Sequence, residues 1–198
     1  MIYLVGLGNP TDQYSETRHN VGRDILELFR KAHKFEEWGD DKKLRALTSE
    51  GKIGKEKVML IMPETFMNDS GKSLKPLITN KKKAKNTIVV YDELDLGIGT
   101  VKISFNKNSG GHKGIESTIK QIKTKEFARL RIGISPVTPT GKIKKPSGNE
   151  KVKKHVLSKF SPKEEVVMKK VFKNSVKALT LVVQKGYMDA MGEVNSWR

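Results

Sequence analysis

The sequence contains no cysteine, which removes disulfides, thiolate zinc sites and a cysteine nucleophile from consideration and fits a reducing compartment. It also lacks a long apolar run. The opening MIYLVGLGNP is apolar over too short a stretch to cross a bilayer, with no basic segment or small-residue cleavage site. A cytoplasmic protein that starts in its first strand is expected. Acidic residues are scarce, 22 against 39 Lys and Arg, and the formal charge is +17. A field of that size attracts polyanions, so nucleic acid is the leading partner class, although a generally lysine-rich surface is the competing explanation. Common motifs are missing too. No G-x-x-x-x-G-K-[ST], G-x-S-x-G or H-E-x-x-H occurs, and the four histidines are too scattered for a zinc site. Gly6 and Gly8 invite a dinucleotide-binding reading, but G-x-G-x-x-G needs glycine at position 11, where Thr11 stands, and Pro10 blocks the usual turn.

What is present suits one core. A chain of 198 residues, 36% hydrophobic and 31% charged, predicts a single domain over 1–198. Ile2 to Val5 reads as a buried strand, and Val21, Ile25, Leu28, Phe29 and Ala32 recur at helical spacing. Lys43–Ser49 and Lys57–Met62 read as two strands of a hairpin around EGKIGKE. A short helix at Leu74 to Ile78, strands at Thr87–Tyr91 and Val101–Phe105, a helix from about Gly114 and a strand over Phe127–Ile134 complete an alternating α/β pattern. Pro136 to Asn149 shows no apolar period and reads as a mobile surface loop.

Ser161-Pro162-Lys163-Glu164 is a capping box with proline at the first helical position, and it opens a helix over about 162–185 that Gly186 stops. Val167, Val171, Ala178, Leu181 and Val182 are expected on its packed side. Between Gly141 and Lys185, 13 Lys and no Arg against three Glu give a local balance of +10. That end is the candidate RNA-binding surface; a solvated face of a peripheral helix is the alternative.

Polar residues gather at the ends of the buried strands: Asn9 after the first, Asp92 after TIVVY, and the SGGHKG loop before a helix. Loops at the carboxyl ends of strands in open α/β sheets are where ligands bind. His19 lies in a polar loop that initiates a helix, which makes it a candidate general base, with a capping or surface role as the competing reading.

GLGNP, Tyr14, TRHNVG (Thr17 to Gly22), ETFMNDSG (Glu64 to Gly71), YDELDL (Tyr91 to Leu96), SGGHKG (Ser109 to Gly114) and RLRIGI (Arg129 to Ile134) stand in the order found in bacterial-type peptidyl-tRNA hydrolases. The chain resembles that family over roughly residues 1–135, and by character in its last long helix. The resemblance implies a three-layer α/β/α fold around a mixed, mostly parallel twisted sheet, and hydrolysis of the ester between a peptide and the terminal ribose of tRNA. It implies no metal or cofactor, the acceptor end of peptidyl-tRNA as partner, no membrane, and a monomer. His19 matches the family's base and Asp92 the carboxylate that orients it. Asn9 matches an amide that holds substrate, Asn68 a second amide able to polarise the ester carbonyl. Tyr14, Phe66 and Met67 line the implied cleft, with core filling as the alternative for Met67. Lys102 and Arg131 match basic positions near the substrate path. Lys113 departs from the pattern, standing where many members have Asn; a cation there would contact phosphate or oppose protonation of a nearby His19. The contrasting reading is a catalytically inactive RNA-binding homologue of the splicing-factor kind.

Overall fold

The computed structural model describes residues 1–197. Its fourteen regular elements are β1 (Ile2–Gly6), α1 (Val21–Ala32), β2 (Gly39–Asp41), β3 (Ala46–Ile53), β4 (Glu56–Pro63), α2 (Ser70–Leu74), α3 (Lys81–Lys85), β5 (Thr87–Gly97), β6 (Val101–Phe105), α4 (Lys113–Ile122), β7 (Ala128–Ser135), α5 (Asn149–Val156), α6 (Pro162–Lys185) and α7 (Tyr187–Val194). The strands form one sheet in the order β2-β3-β4-β1-β5-β7-β6. The central β4, β1, β5 and β7 pair in parallel, and antiparallel β3 and β6 flank them.

Alternation along β1 explains the layers. Leu4 points to one face, into a core with Ile25, Leu26 and Phe29 of α1 and Val171, Ala178 and Val182 of α6. Tyr3 and Val5 point to the other, into a core with Leu74 of α2, Ala84 of α3 and Ile115 of α4. Strands buried on both faces read as continuous apolar runs, which is how β1 and the first part of β5 read. The result is the expected α/β/α sandwich.

Several boundaries differ from expectation. The hairpin strands run through the EGKI segment and turn at Gly54-Lys55, with Ile53 paired to Glu56 and Gly54 at φ 60. Position 54 needs a conformation that glycine takes without strain. Asp92 does not end its strand: β5 continues to Gly97, and its register with β7 breaks between Glu93 and Gly97. Val167 is 40% exposed rather than packed, because the buried row of α6 runs through Met168, Val171, Ser175, Ala178 and Val182. Helices α3, α5 and α7 and the short strand β2 were not expected; KKKAK, which reads as a charge run, forms α3. The expected loop is irregular from Pro136 to Gly148, with Asn149 already in α5, and is anchored by a Val137–Ile143 bridge and an ion pair from Lys145 to Asp95 at 2.5 Å.

Candidate active site

Gly6 and Gly22 bring the start of α1 onto the end of β1. A Cβ on Gly6 would lie 2.4 Å from the Gly22 carbonyl oxygen, and one on Gly22 would lie 2.4 Å from that of Val90. Only glycines allow the approach, and it sets the 3-10 turn Arg18–Asn20 past the carboxyl end of β1 and beside Asp92 in the middle of β5.

In that turn His19 is half-buried, and its Nδ1 lies 2.8 Å from Oδ1 of Asp92, a residue 1% exposed. The same carboxylate oxygen receives Nε2 of His112 at 2.9 Å. Burial alone would raise the Asp92 carboxyl, but the two imidazoles outweigh it and hold the group well below the usual carboxylate range. The tautomer of His112 follows from its other nitrogen. Nδ1 accepts the Ile115 N–H at 3.3 Å as the N-cap of α4, so it carries no proton, and Nε2–H donates to Asp92. At His19 the carboxylate takes up Nδ1–H. Nε2, which has no partner among the described residues, is left as the basic atom.

His19, Asp92 and His112 are also the one group among the described residues whose ligand atoms converge closely enough for a metal, all within 4.8 Å. The donor chemistry does not fit an ion. A metal on His112 Nε2 requires a proton on Nδ1, which would then face the Ile115 N–H. A hydrogen-bonded triad satisfies every one of these atoms.

Asn9 follows β1 and is held from two sides. Its N–H donates to Asn20 Oδ1 at 2.9 Å and its carbonyl accepts from Asn20 Nδ2 at 3.0 Å. Its Oδ1 accepts the Met67 N–H at 2.8 Å, which fixes the amide's orientation and leaves Nδ2 unpaired among the described residues. Met67 itself is 4% exposed, so its side chain fills the core and only its backbone reaches the site. Tyr14 meets Phe66 edge-on with centroids 6.4 Å apart, and Phe66 is 54% exposed, an aromatic wall open to solvent. Asn68 is exposed, with no hydrogen bond among the described residues.

The remaining predicted residues do not touch the triad. Lys113 opens α4 and pairs with Glu116 at 3.0 Å, so its charge is met locally. Lys102 and Arg131 are cross-strand neighbours on β6 and β7. Lys102 Nζ donates to the Asn195 carbonyl, and Arg131 Nε donates to Glu93 Oε2 at 3.0 Å. Glu93 also accepts the Tyr91 hydroxyl, whose ionisation burial, followed by the Glu93 charge, pushes well up, and the Tyr91 ring abuts His112 edge-on. Arg131 therefore reaches the triad only through intermediaries. Sequence reasoning missed Asn20 and the His112 side chain. Their proximity to His19 and to the glycine loop was the available signal, but their partners are distant in sequence.

The profile of the family described as peptidyl-tRNA hydrolase matches residues 3–198. The chain belongs to the peptidyl-tRNA hydrolase family. It is 39% identical to the peptidyl-tRNA hydrolase of Aquifex aeolicus over 97% of this chain and 95% of that protein. With the enzyme of Desulfitobacterium hafniense it shares 37% over 98% of this chain and the whole of the relative. The crystal structure of the Acinetobacter baumannii peptidyl-tRNA hydrolase superposes with a TM-score of 0.88 at 30% identity, covering 100% of this chain and 96% of that one. These relatives support an ester hydrolase and not the inactive RNA-binding alternative. Among the described residues no helix is long and apolar enough to cross a membrane.

Proposed function

We propose that this chain hydrolyses the ester between peptide and tRNA with His19 as general base, Asp92 as its orienting carboxylate and Asn9 as the amide that holds substrate. One observation carries the reading: His19 Nδ1 is committed to Asp92 while Nε2 is free, and Asn20, the next residue, fixes Asn9. Nε2 takes a proton from water as the water oxygen bonds to the ester carbon, and the imidazolium forms beside a carboxylate already ionised. The ester C–O bond then breaks and the proton passes to the departing ribose oxygen. Asn68, whose amide is exposed, polarises the carbonyl. Tyr14 and Phe66 form the wall against which the terminal nucleotide or peptide lies, with Met67 contributing its backbone.

Farther from the chemistry, Lys102, Arg131 and Lys113 lie along the path of the tRNA acceptor end, and the exposed lysines of α5 and α6 meet its phosphates. The proposal is of a monomeric, single-domain enzyme of the cytoplasm. Support for the monomer comes from the sheet edges: Asn195 bonds both the N–H and the carbonyl of Ile103 on β6, and β2 at the other edge is three residues long.

The test compares N-acetyl-aminoacyl-tRNA with free aminoacyl-tRNA as substrates of the wild type and of Asn9→Ala. The wild type is expected to prefer the blocked substrate strongly and the variant to lose rate and preference together. Equal rates of the wild type on both substrates would refute the assignment.

A further inference from the structure

Arg18, the residue before the catalytic histidine, is 6% exposed and points away from the triad. Its guanidinium donates to Ser158 Oγ at 2.6 Å, to the Lys159 carbonyl at 2.5 Å and to Glu164 Oε2 at 2.7 Å, and it lies 5.0 Å from the centre of the Phe160 ring. Ser158, Lys159 and Phe160 lie in the joint between α5 and α6, and Glu164 in the first turn of α6. The backbones meet there as well: Arg18 N–H donates to the Ser158 carbonyl at 3.0 Å, and Thr17 bridges to Lys159. Glu164 is shared, because the oxygen that receives Arg18 also accepts the Ser161 N–H and hydroxyl, each at 2.7 Å, in the capping box of α6. From this joint the exposed lysines run outward, Lys151, Lys153 and Lys154 on α5 and Lys163, Lys169, Lys170 and Lys173 on α6, none in an ion pair among the described residues. An arrangement in which one buried cation ties the catalytic turn to the root of both basic helices exceeds what His19 needs for orientation, since Asp92 already fixes its ring.

We propose that Arg18 is a positioning residue that holds the lysine face and His19 in one register, so that a tRNA stem lying on α5 and α6 delivers its ester to Nε2. The proposal rests on the assignment of that face to tRNA. Arg18 acts through the backbone of its own turn and touches no reacting atom.

The deciding experiment measures kcat/KM on two substrates: N-acetyl-aminoacyl-tRNA, and the N-acetyl-aminoacyl ester of the trinucleotide CCA, which has no stem to lie on the helices. Arg18→Gln is expected to lose about tenfold or more on the full tRNA and less than about twofold on the short ester, the scale of one charge-assisted buried hydrogen bond. Glu164→Gln, which keeps the shape of the cap, is expected to shift the ratio of the two substrates in the same direction by about threefold, and it carries the test if Arg18→Gln does not fold. Equal losses on both substrates would place Arg18 in the service of His19 alone and overturn the proposal, as would no loss on either. The combined variant Lys169→Gln, Lys170→Gln and Lys173→Gln separates the premise: if it binds deacylated tRNA as tightly as the wild type, the lysine face is misassigned; if it binds weakly while the ratio stays fixed in the Arg18 and Glu164 variants, only the clamp is wrong.

Discussion

The catalytic edge and the lysine face handle charge in opposite ways. In the triad the ionisable groups are buried or half-buried and hydrogen-bonded to one another, down to one carboxylate oxygen serving two imidazoles. On α5 and α6 the charges are exposed and mostly unpaired. Proton transfer needs atoms fixed to fractions of an ångström, whereas attraction of a polyanion needs only density of charge that can shed counterions. Changes at the first region are thus expected to act on kcat and changes at the second on affinity.

The largest break comes from Asp92→Asn. An amide in place of the carboxylate loses the acceptor that His19 and His112 share and can hold His19 in the wrong tautomer, so kcat is expected to fall by about a hundredfold or more with tRNA affinity kept. Steady-state kinetics beside a tRNA binding curve check it; a loss confined to KM contradicts the division of labour. Next, the triple lysine variant of α6 is expected to weaken tRNA binding and lower the log–log salt slope by roughly one for each phosphate that is no longer neutralised, with kcat at saturation unchanged. A slope equal to the wild type's moves the RNA surface elsewhere.

The same contrast decides what could be read from the sequence. Asn9, His19 and Asp92 stood out as candidates because polar residue types in a turn or after a buried apolar run are visible without their partners, and the +10 balance because charge needs none. Side-chain partnerships were not. Arg18 meets residues 140 and more positions away, and the N-cap role of His112 appears only once α4 is seen to start at Lys113. Helix α5, NEKVKKHV, has two apolar residues in eight, a single i,i+4 pair of valines, too few to announce it. Strand β3 lies farther along than expected because its buried positions include Ser49 as well as Ala46 and Ile53, which blurs the alternation.

Two smaller predictions concern stability near the catalytic turn. Burial, followed by the Glu16 charge and against the opposing effect of Arg23, pushes the Asp24 carboxyl up to about 6. A carboxyl whose pKa rises on folding favours the folded state while protonated, and that advantage is lost as pH rises from about 4 through about 6. Asp24→Asn is therefore expected to stabilise the protein by about 1–2 kcal/mol at pH 8 and by little at pH 4, read from urea midpoints. An equal gain at both pH values would assign the effect to something other than ionisation. Thr11, directly after Pro10, takes φ 77 and ψ 150, a conformation that suits glycine and strains a β-branched residue. Thr11→Gly is expected to raise stability by about 1 kcal/mol, the relief exceeding glycine's entropy cost, with the thermal midpoint as the readout.

The most direct measurement is single-turnover release of an N-acetyl-aminoacyl group from tRNA by His19→Ala, with tRNA binding measured on the same preparation. Loss of turnover by about two to four orders of magnitude with affinity intact is predicted for a general base. Turnover near the wild-type rate would contradict the assignment of His19 and, with it, the role given to the whole triad.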